Sequence, residues 1–294
     1  MKTVRITDKT GYIYCEEDLA CLFHGNCLDM LRALPDGSVS LFVTSPPYSM
    51  GRSYEDRRNG IDTFRTLHKN ILNDMYRALR PGGSICWQVG SYVSGGAVFP
   101  LDIEVFNIFE GYGGNGMPLS CRGRVIWTFG HGLHCKKRFS GRYETILWFT
   151  KGALRDDIES LPTTDVWDIP NVKGNHVEKT SHPCQFPIVI PKRLIHSLTL
   201  ERELVVDPFA GAGTSGAAAA LEGRRFVGAE MQEEYIFSAA ERIRQAAEGT
   251  LRYRPDIPVK EPDPRTAQAR KPEKWAPGVT TGSPGGAGDK EEKQ

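Results

Sequence analysis

The sequence predicts one main α/β domain, a mostly parallel twisted sheet with helices on both faces. Two strand–helix–strand patterns carry that expectation, at residues 19–43 and 204–230, each with an apolar run, a turn, a helical segment and a second apolar run. Size supports it, because 294 residues with 39% hydrophobic and 25% charged side chains can bury one substantial core. The domain is expected over residues 1–250. Residues 251–294 are rich in Pro, Gly and charge, with Trp275 the largest apolar side chain, and read as a disordered tail.

Each element has its own signal. Residues 19–24 are an apolar run that stops at Gly25-Asn26, after which Leu28, Leu31 and Leu34 recur at helical spacing up to Pro35-Asp36-Gly37. Leu41-Phe42-Val43 follows as a buried strand, reached by a right-handed crossover. Residues 49–61, with Gly51, Gly60 and three arginines, read as a mobile loop leaving that strand. Phe64, Leu67, Ile71, Met75 and Leu79 outline an amphipathic helix halted by Arg80-Pro81-Gly82-Gly83, and residues 84–89 form the next strand. A helix around 101–109 precedes glycines 111, 113, 114 and 116. Residues 125–127 and 145–149 read as two strands joined by the basic stretch 130–142, a hairpin at one sheet edge. Residues 151–181 are polar and weakly patterned around Trp167, either a recognition insert or an ordinary long loop. Pro187 opens a helix with Ile188, Leu194, Ile195 and Leu198. Strand 204–206, a Gly-rich turn, a small-residue helix at 216–221, strand 225–230 and helix 233–247 complete the domain.

Composition excludes several classes. Net charge is +1, so any polyanion contact must come from local clusters, Arg52 with Arg57 and Arg58, or Lys136-Lys137-Arg138 with Arg142; each is equally readable as a solvated loop. Residues 1–10 lack the apolar core of a signal peptide and no apolar run is long enough to span a bilayer, so a cytoplasmic protein is expected. Seven scattered cysteines suit reduced thiols. Cys15, Cys21, His24 and Cys27 crowd together but lack a C-x-x-C pair, and no metal site is expected.

Two stretches carry chemistry. In Thr44-Ser45-Pro46-Pro47-Tyr48 the paired prolines hold the segment extended, leaving a stiff rim of carbonyl acceptors beside the Ser45 hydroxyl and the Tyr48 ring. Two acceptors and an aromatic face suit the exocyclic amine and ring of a nucleobase; a plain strand end with a Pro-Pro turn is the other reading. In Asp207-Pro208-Phe209-Ala210-Gly211-Ala212-Gly213-Thr214, Gly211 and Gly213 permit a tight turn and close approach of a ligand, and the helix near Thr214 offers free N–H groups. The next strand ends in Glu230, where a ribose-binding carboxylate belongs in dinucleotide folds. No third glycine and no Gly-Lys-Thr follow, so a nucleoside without phosphates suits the turn better than a dinucleotide.

These motifs resemble those of DNA amino-methyltransferases. Residues 43–48 are similar to that family's catalytic motif, with Ser in place of Asp or Asn as in the cytosine-N4 branch; residues 207–214 are similar to motif I of S-adenosylmethionine-dependent DNA methyltransferases. The catalytic strand precedes the cofactor strand, which resembles the β class, a circularly permuted Rossmann-like fold whose N-terminal βα unit supplies the third cofactor strand. The resemblance implies S-adenosylmethionine as cofactor, held by Asp207, Phe209, Gly211, Gly213, Thr214 and Glu230, with Asn26 where the family carries an Asp that meets the adenine amine. It implies Ser45, Pro46, Pro47 and Tyr48 as catalytic residues. Arg142-Tyr143-Glu144 resembles motif VIII, beside the flipped base, and His182-Pro183-Cys184-Gln185-Phe186-Pro187 resembles motif X, which usually has Thr where Cys184 stands. The expected partner is double-stranded DNA with one base flipped, contacted by Arg52, Lys136, Lys137, Arg138 and Tyr143, through target-recognition loops at 111–142 and 151–182. A partner restriction endonuclease, and monomer against dimer, stay open.

Four competitors remain at this level. Adenine-N6 transfer is open because the Ser45 hydroxyl can accept from either amine. Pro183-Cys184-Gln185 resembles the nucleophilic motif of cytosine-C5 methyltransferases, although there it follows the cofactor loop. A non-catalytic DNA-binding module would not require Ser45, Tyr48, Gly211 and Gly213 to be intact. A small-molecule amine methyltransferase would not need the basic loops.

Overall fold

Residues with period-2 burial build the centre of the molecule: Leu41 and Val43 face one apolar cluster and Phe42 the other, and Val205 and Val206 divide in the same way. The computed structural model describes residues 4–7, 18–48, 60–94, 96–113, 119–129, 138–139, 141–158, 161 and 164–255. In chain order the elements are β1 (Val4–Thr7), β2 (Ala20–His24), α1 (Cys27–Ala33), β3 (Val39–Thr44), α2 (Gly60–Ala78), β4 (Leu79–Val89), β5 (Ser91–Ser94), β6 (Ala97–Pro100) and α3 (Leu101–Gly113). They continue with β7 (Leu119–Thr128), β8 (Tyr143–Lys151), β9 (Val166–Asp168), α4 (Val189–Leu198), β10 (Leu204–Asp207), α5 (Thr214–Leu221), β11 (Arg225–Glu230) and α6 (Glu233–Ala247).

Nine strands form one sheet in the order β1-β2-β11-β10-β3-β4-β8-β7-β9, with β5 and β6 a separate hairpin. Pairing is parallel from β1 through β4; β8 runs antiparallel to β4 and β7, and β9 is parallel to β7. One face packs Met30, Leu31, Phe64, Ile71, Met75 and Phe109 from α1, α2 and α3. The other packs Ile190, Leu194, Ile195, Ala217, Ile236 and Ile243 from α4, α5 and α6. The permuted order is explicit in the register: β11 pairs with β2 from Phe226↔Ala20 to Glu230↔His24, so β2, early in the chain, stands third after β10 and β11.

Several boundaries differ from the sequence expectation. Leu79 opens β4, paired with Val39, because Pro81 cannot continue a helix and the chain turns extended before reaching it. The β7–β8 hairpin is not at the edge: β9 covers β7 inside the stretch read as an insert, anchored by buried Trp167, whose indole N–H donates to the Thr164 carbonyl (2.9 Å) and whose ring lies 5.3 Å from the Arg193 guanidinium. Within the expected recognition loop 111–142, residues 119–128 are a long strand of the main sheet. The compact unit ends at Pro255 rather than residue 250, since Leu251 and Tyr253 pack on the second cluster and Arg254 donates to Glu178 and to the Pro170 carbonyl. The expectations for the 49–59 loop and the 256–294 tail lie outside the described residues. None of the described helices is long and apolar enough to cross a membrane.

One buried polar contact makes core stability pH-dependent. Trp87 Nε1–H donates to His68 Nε2 at 2.9 Å, so Nδ1 carries the proton and donates to the Phe64 carbonyl at 2.7 Å. Burial pushes the His68 pKa down to about 4. The unfolded chain therefore binds a proton near pH 6.5 that the folded protein refuses; the stabilisation is present above that pH and is lost as pH falls towards 4, by roughly 3 kcal/mol. In His68→Gln the amide can keep both contacts without titrating. Urea unfolding at pH 7 and pH 4 should shift the stability difference by that amount in the variant's favour, and an unchanged difference would contradict the neutral His68.

Candidate functional site

Asp207, the last residue of β10, is buried, and its carboxylate accepts from Thr44 Oγ1 (2.5 Å), Phe209 N–H (2.9 Å) and Ser215 Oγ (2.6 Å). These donors belong to the end of β3, the glycine turn and the first turn of α5. Burial pushes the Asp207 pKa up to about 6, a rise that the three donors oppose. The turn beyond it is shaped by two positive-φ glycines, Gly211 (φ 47°) and Gly213 (φ 71°), the second capping α5. Arg242 of α6, itself buried, supports the turn from behind by donating to the Ala212 carbonyl (2.6 Å) and to Thr214 Oγ1 (3.1 Å).

Glu230 closes β11 with both carboxylate oxygens engaged, by Gly211 N–H at 3.0 Å and Gln232 N–H at 2.7 Å. Burial raises its pKa, against those two donors. His182 lies over the turn, its Nε2 3.1 Å from where a Gly211 side chain would begin, and its ring meets Tyr235 edge-on at 4.6 Å. His182 can approach the turn this closely because Gly211 has no side chain.

A cavity of about 410 Å³ runs along these strand ends. Its wall includes Ser45, Pro46, Pro47 and Tyr48 on one side and Phe209, Gly211, Thr214 and Glu230 on the other, so the two sequence motifs share one space. Tyr48 is fixed through its hydroxyl, which accepts from Gly90 N–H at 2.7 Å and lies 3.5 Å from Gln88 Nε2; the same amide nitrogen donates to Glu144 Oε2. Trp127 and Phe129, ring centroids 5.4 Å apart, add an aromatic wall. The volume, glycine cradle, carboxylate and apolar surfaces suit a nucleoside-sized ligand beside a flat ring.

Some of the residues expected at the site stand elsewhere. Asn26 is absent from the cavity wall; its side chain accepts from Leu28 N–H at 3.0 Å and caps α1, because the chain enters that helix directly from β2. Asp207 and Gly213 lie behind the wall, the first bracing the turn and the second packed against Ala239. Tyr143 is half exposed, opposite Thr128 on β7, while its neighbour Glu144 lines the cavity; adjacent strand residues point to opposite faces. Arg138 lies off the wall, with its guanidinium on the Phe139 carbonyl, and Arg52, Lys136 and Lys137 are outside the described residues. Gln88, Glu144, His182 and Tyr235 were not singled out for the site, although Glu144 and His182 sit inside the stretches read as motifs VIII and X. Cys184 is exposed on the wall. Among the described residues no cluster of His, Cys, Asp and Glu could hold a metal ion.

Comparison with known proteins agrees with this geometry. The DNA methylase family model matches residues 39–241. The chain is 38% identical over 250 residues to the type II methyltransferase M.BglII of Bacillus subtilis, covering 75% of this chain and 68% of that one. Among solved structures, the cytosine-N4-specific PvuII DNA methyltransferase superposes with a TM-score of 0.65 at 23% identity, covering 80% of this chain and 93% of its own, which establishes the shared fold. A DNA modification methylase of Thermus thermophilus, solved in complex with S-adenosyl-L-methionine, gives 0.62 at 27% identity over 78% of this chain and 94% of its own.

The turn can be tested without any ligand. A side chain at Gly213 would begin 2.6 Å from the Ala239 methyl and 2.7 Å from its Cα, at a φ that L residues disfavour. Overpacking and left-handed strain together should make Gly213→Ala about 2–4 kcal/mol less stable to urea. A loss below about 0.5 kcal/mol would show that the turn and α6 are not tightly packed.

Proposed function

The chain belongs to the N6/N4 DNA methylase family of S-adenosylmethionine-dependent amino-methyltransferases, and we propose that it methylates the exocyclic N4 amine of a flipped cytosine within a specific duplex site. The observation that carries the cytosine reading is Ser45 at the head of Pro46-Pro47-Tyr48, on the wall of the cavity shared with the glycine turn. Residues present at the other end suit the cofactor: Glu230 for the ribose hydroxyls, Gly211 and Thr214 for close backbone approach, and Phe209 with Tyr235 for apolar contact. When bound there, S-adenosylmethionine supplies an already activated sulfonium methyl, so the protein has to position the amine and polarise it.

The amine's lone pair is delocalised into the ring. Accepting its two N–H bonds at the Pro46 carbonyl and the Ser45 hydroxyl would turn that lone pair out of conjugation and towards the methyl. Tyr48 would stack on the extruded base, its ring held in place by Gly90 N–H at the hydroxyl. Flipping costs a few kcal/mol, which stacking and the amine's hydrogen bonds offset. A second reading, adenine-N6 transfer, is favoured by the family itself, which spans N6 and N4 amines, and by a hydroxyl at position 45 that can accept from either. A partner restriction endonuclease is compatible with the likeness to M.BglII.

Mass spectrometry of nucleosides from unmethylated DNA incubated with protein and S-adenosylmethionine tests the reading. N4-methylcytosine is expected. N6-methyladenine would select the second reading, 5-methylcytosine would move the chemistry to Cys184, and no modified base despite cofactor binding would overturn DNA methylation. Tyr48→Ala should weaken base engagement by roughly 1–3 kcal/mol, measured as the loss in kcat/KM; full activity would remove the stacking role.

A further inference from the structure

The cavity wall next to Tyr48 contains a carboxylate that the mechanism above does not use. Glu144 is the second residue of β8 and lines the cavity with Ser45, Pro46 and Tyr48. The β4–β8 register runs through Gln88↔Ile146 and Val89↔Thr145, which puts Glu144 level with Gly90 at the catalytic end of the sheet. Gln88, buried, holds Glu144 Oε2 through its amide nitrogen. Gly90 leaves space for the other oxygen: a Cβ there would stand 3.1 Å from Glu144 Oε1. Three neighbouring strand ends thus converge on one acid beside the proposed amine site. Satisfying the Gln88 amide needs only an acceptor, which a neutral side chain could provide.

Building on the methyl-transfer reading, we infer that Glu144 is a catalytic residue whose charge stabilises the positive charge developing on the target amine and whose carboxylate then takes the amine's proton. As the nitrogen–carbon bond to the methyl forms, the carbon–sulfur bond breaks and its electron pair goes to sulfur. The amine nitrogen, neutral before transfer, carries the positive charge afterwards; one of its two N–H bonds then leaves its neutral acceptor, Ser45 or Pro46, for the Glu144 carboxylate and gives up its proton there, leaving the neutral methylated amine. Ser45 and Pro46 offer only neutral oxygens. Glu230 lies across β10 and β3, both its oxygens engaged by backbone N–H groups. Among the described residues of the wall, Glu144 is therefore the acid on the amine's side of the cavity, where a charge acts on the developing ammonium more strongly than in bulk water. The carboxylate regenerates when its proton passes to solvent as the product leaves.

The test compares wild type, Glu144→Gln and Glu144→Asp on a duplex whose target base has been located by sequencing DNA methylated by the wild type. Single-turnover transfer is measured beside S-adenosylmethionine affinity by calorimetry and base opening by 2-aminopurine fluorescence next to the target. The Gln variant should keep affinity and opening signal within about threefold of wild type but slow transfer at least about 100-fold, in the range of acid–base groups. The Asp variant, with its carboxylate retained, should be at least about tenfold faster than Gln. Transfer by Gln within about threefold of wild type, Asp no faster than Gln, or a loss explained entirely by weaker binding would each overturn the assignment. Wild type that modifies no DNA base would instead remove the methyl-transfer reading itself.

Discussion

The structure depends on one buried carboxylate. Asp207 accepts from Thr44, which is 163 residues away in sequence, and from Phe209 and Ser215. A carboxylate without water is costly, and its pKa rises to about 6 even with three donors. Those donors are the end of the catalytic strand, the glycine turn and the cofactor helix. Removing any one would leave part of the desolvation penalty uncompensated, on the order of 1–3 kcal/mol. Ser45 follows Thr44 directly, so this contact also sets how far Ser45, proposed to accept an N–H of the target amine, stands from the turn that faces it.

Backbone register explains how the permuted chain order is tolerated. A parallel sheet is indifferent to which strand comes first, provided each neighbour presents its backbone in register. β2 enters from the N-terminus and pairs with β11, and Gly25 N–H donates to the Glu230 carbonyl at 2.9 Å just beyond the last pair. β10 meets β3 on its other side. Function follows the spatial order β11-β10-β3-β4, in which Glu230, the glycine turn, Ser45 and Gln88 come one after another along one sheet end.

Much of this was legible in the sequence where a local signal and a tertiary role coincide. Strand β11 and helix α6 fall at their expected residues, and the two motifs open on one cavity, because apolar period and Gly/Pro punctuation are consequences of burial and turn geometry. Other features have no local signature. β5 and β6 are largely exposed, so no apolar alternation marks them. β9 is three residues long and exists because Trp167 finds a buried site on β7 and α4. Asn26 carries the signature of a helix cap as well as of a ligand contact, and capping is what the backbone demanded. Glu144 and His182 acquire meaning only when β8 and the 170–186 segment are brought against Gln88 and Gly211, and that pairing is non-local.

The charge of the cavity separates the roles of the base and the phosphate backbone. Its described wall holds Glu230 and Glu144 on opposite sides of β3 and contains no Lys or Arg. Such a surface favours a cationic sulfonium and an amine that becomes positive during transfer, and disfavours phosphate. On the methyl-transfer reading, this described wall suits a base that enters alone with the backbone kept at the rim, where any compensating cations have to be local because the whole chain carries only +1. The electrostatics of the wall thus support extrusion of a single base independently of the motif at its centre.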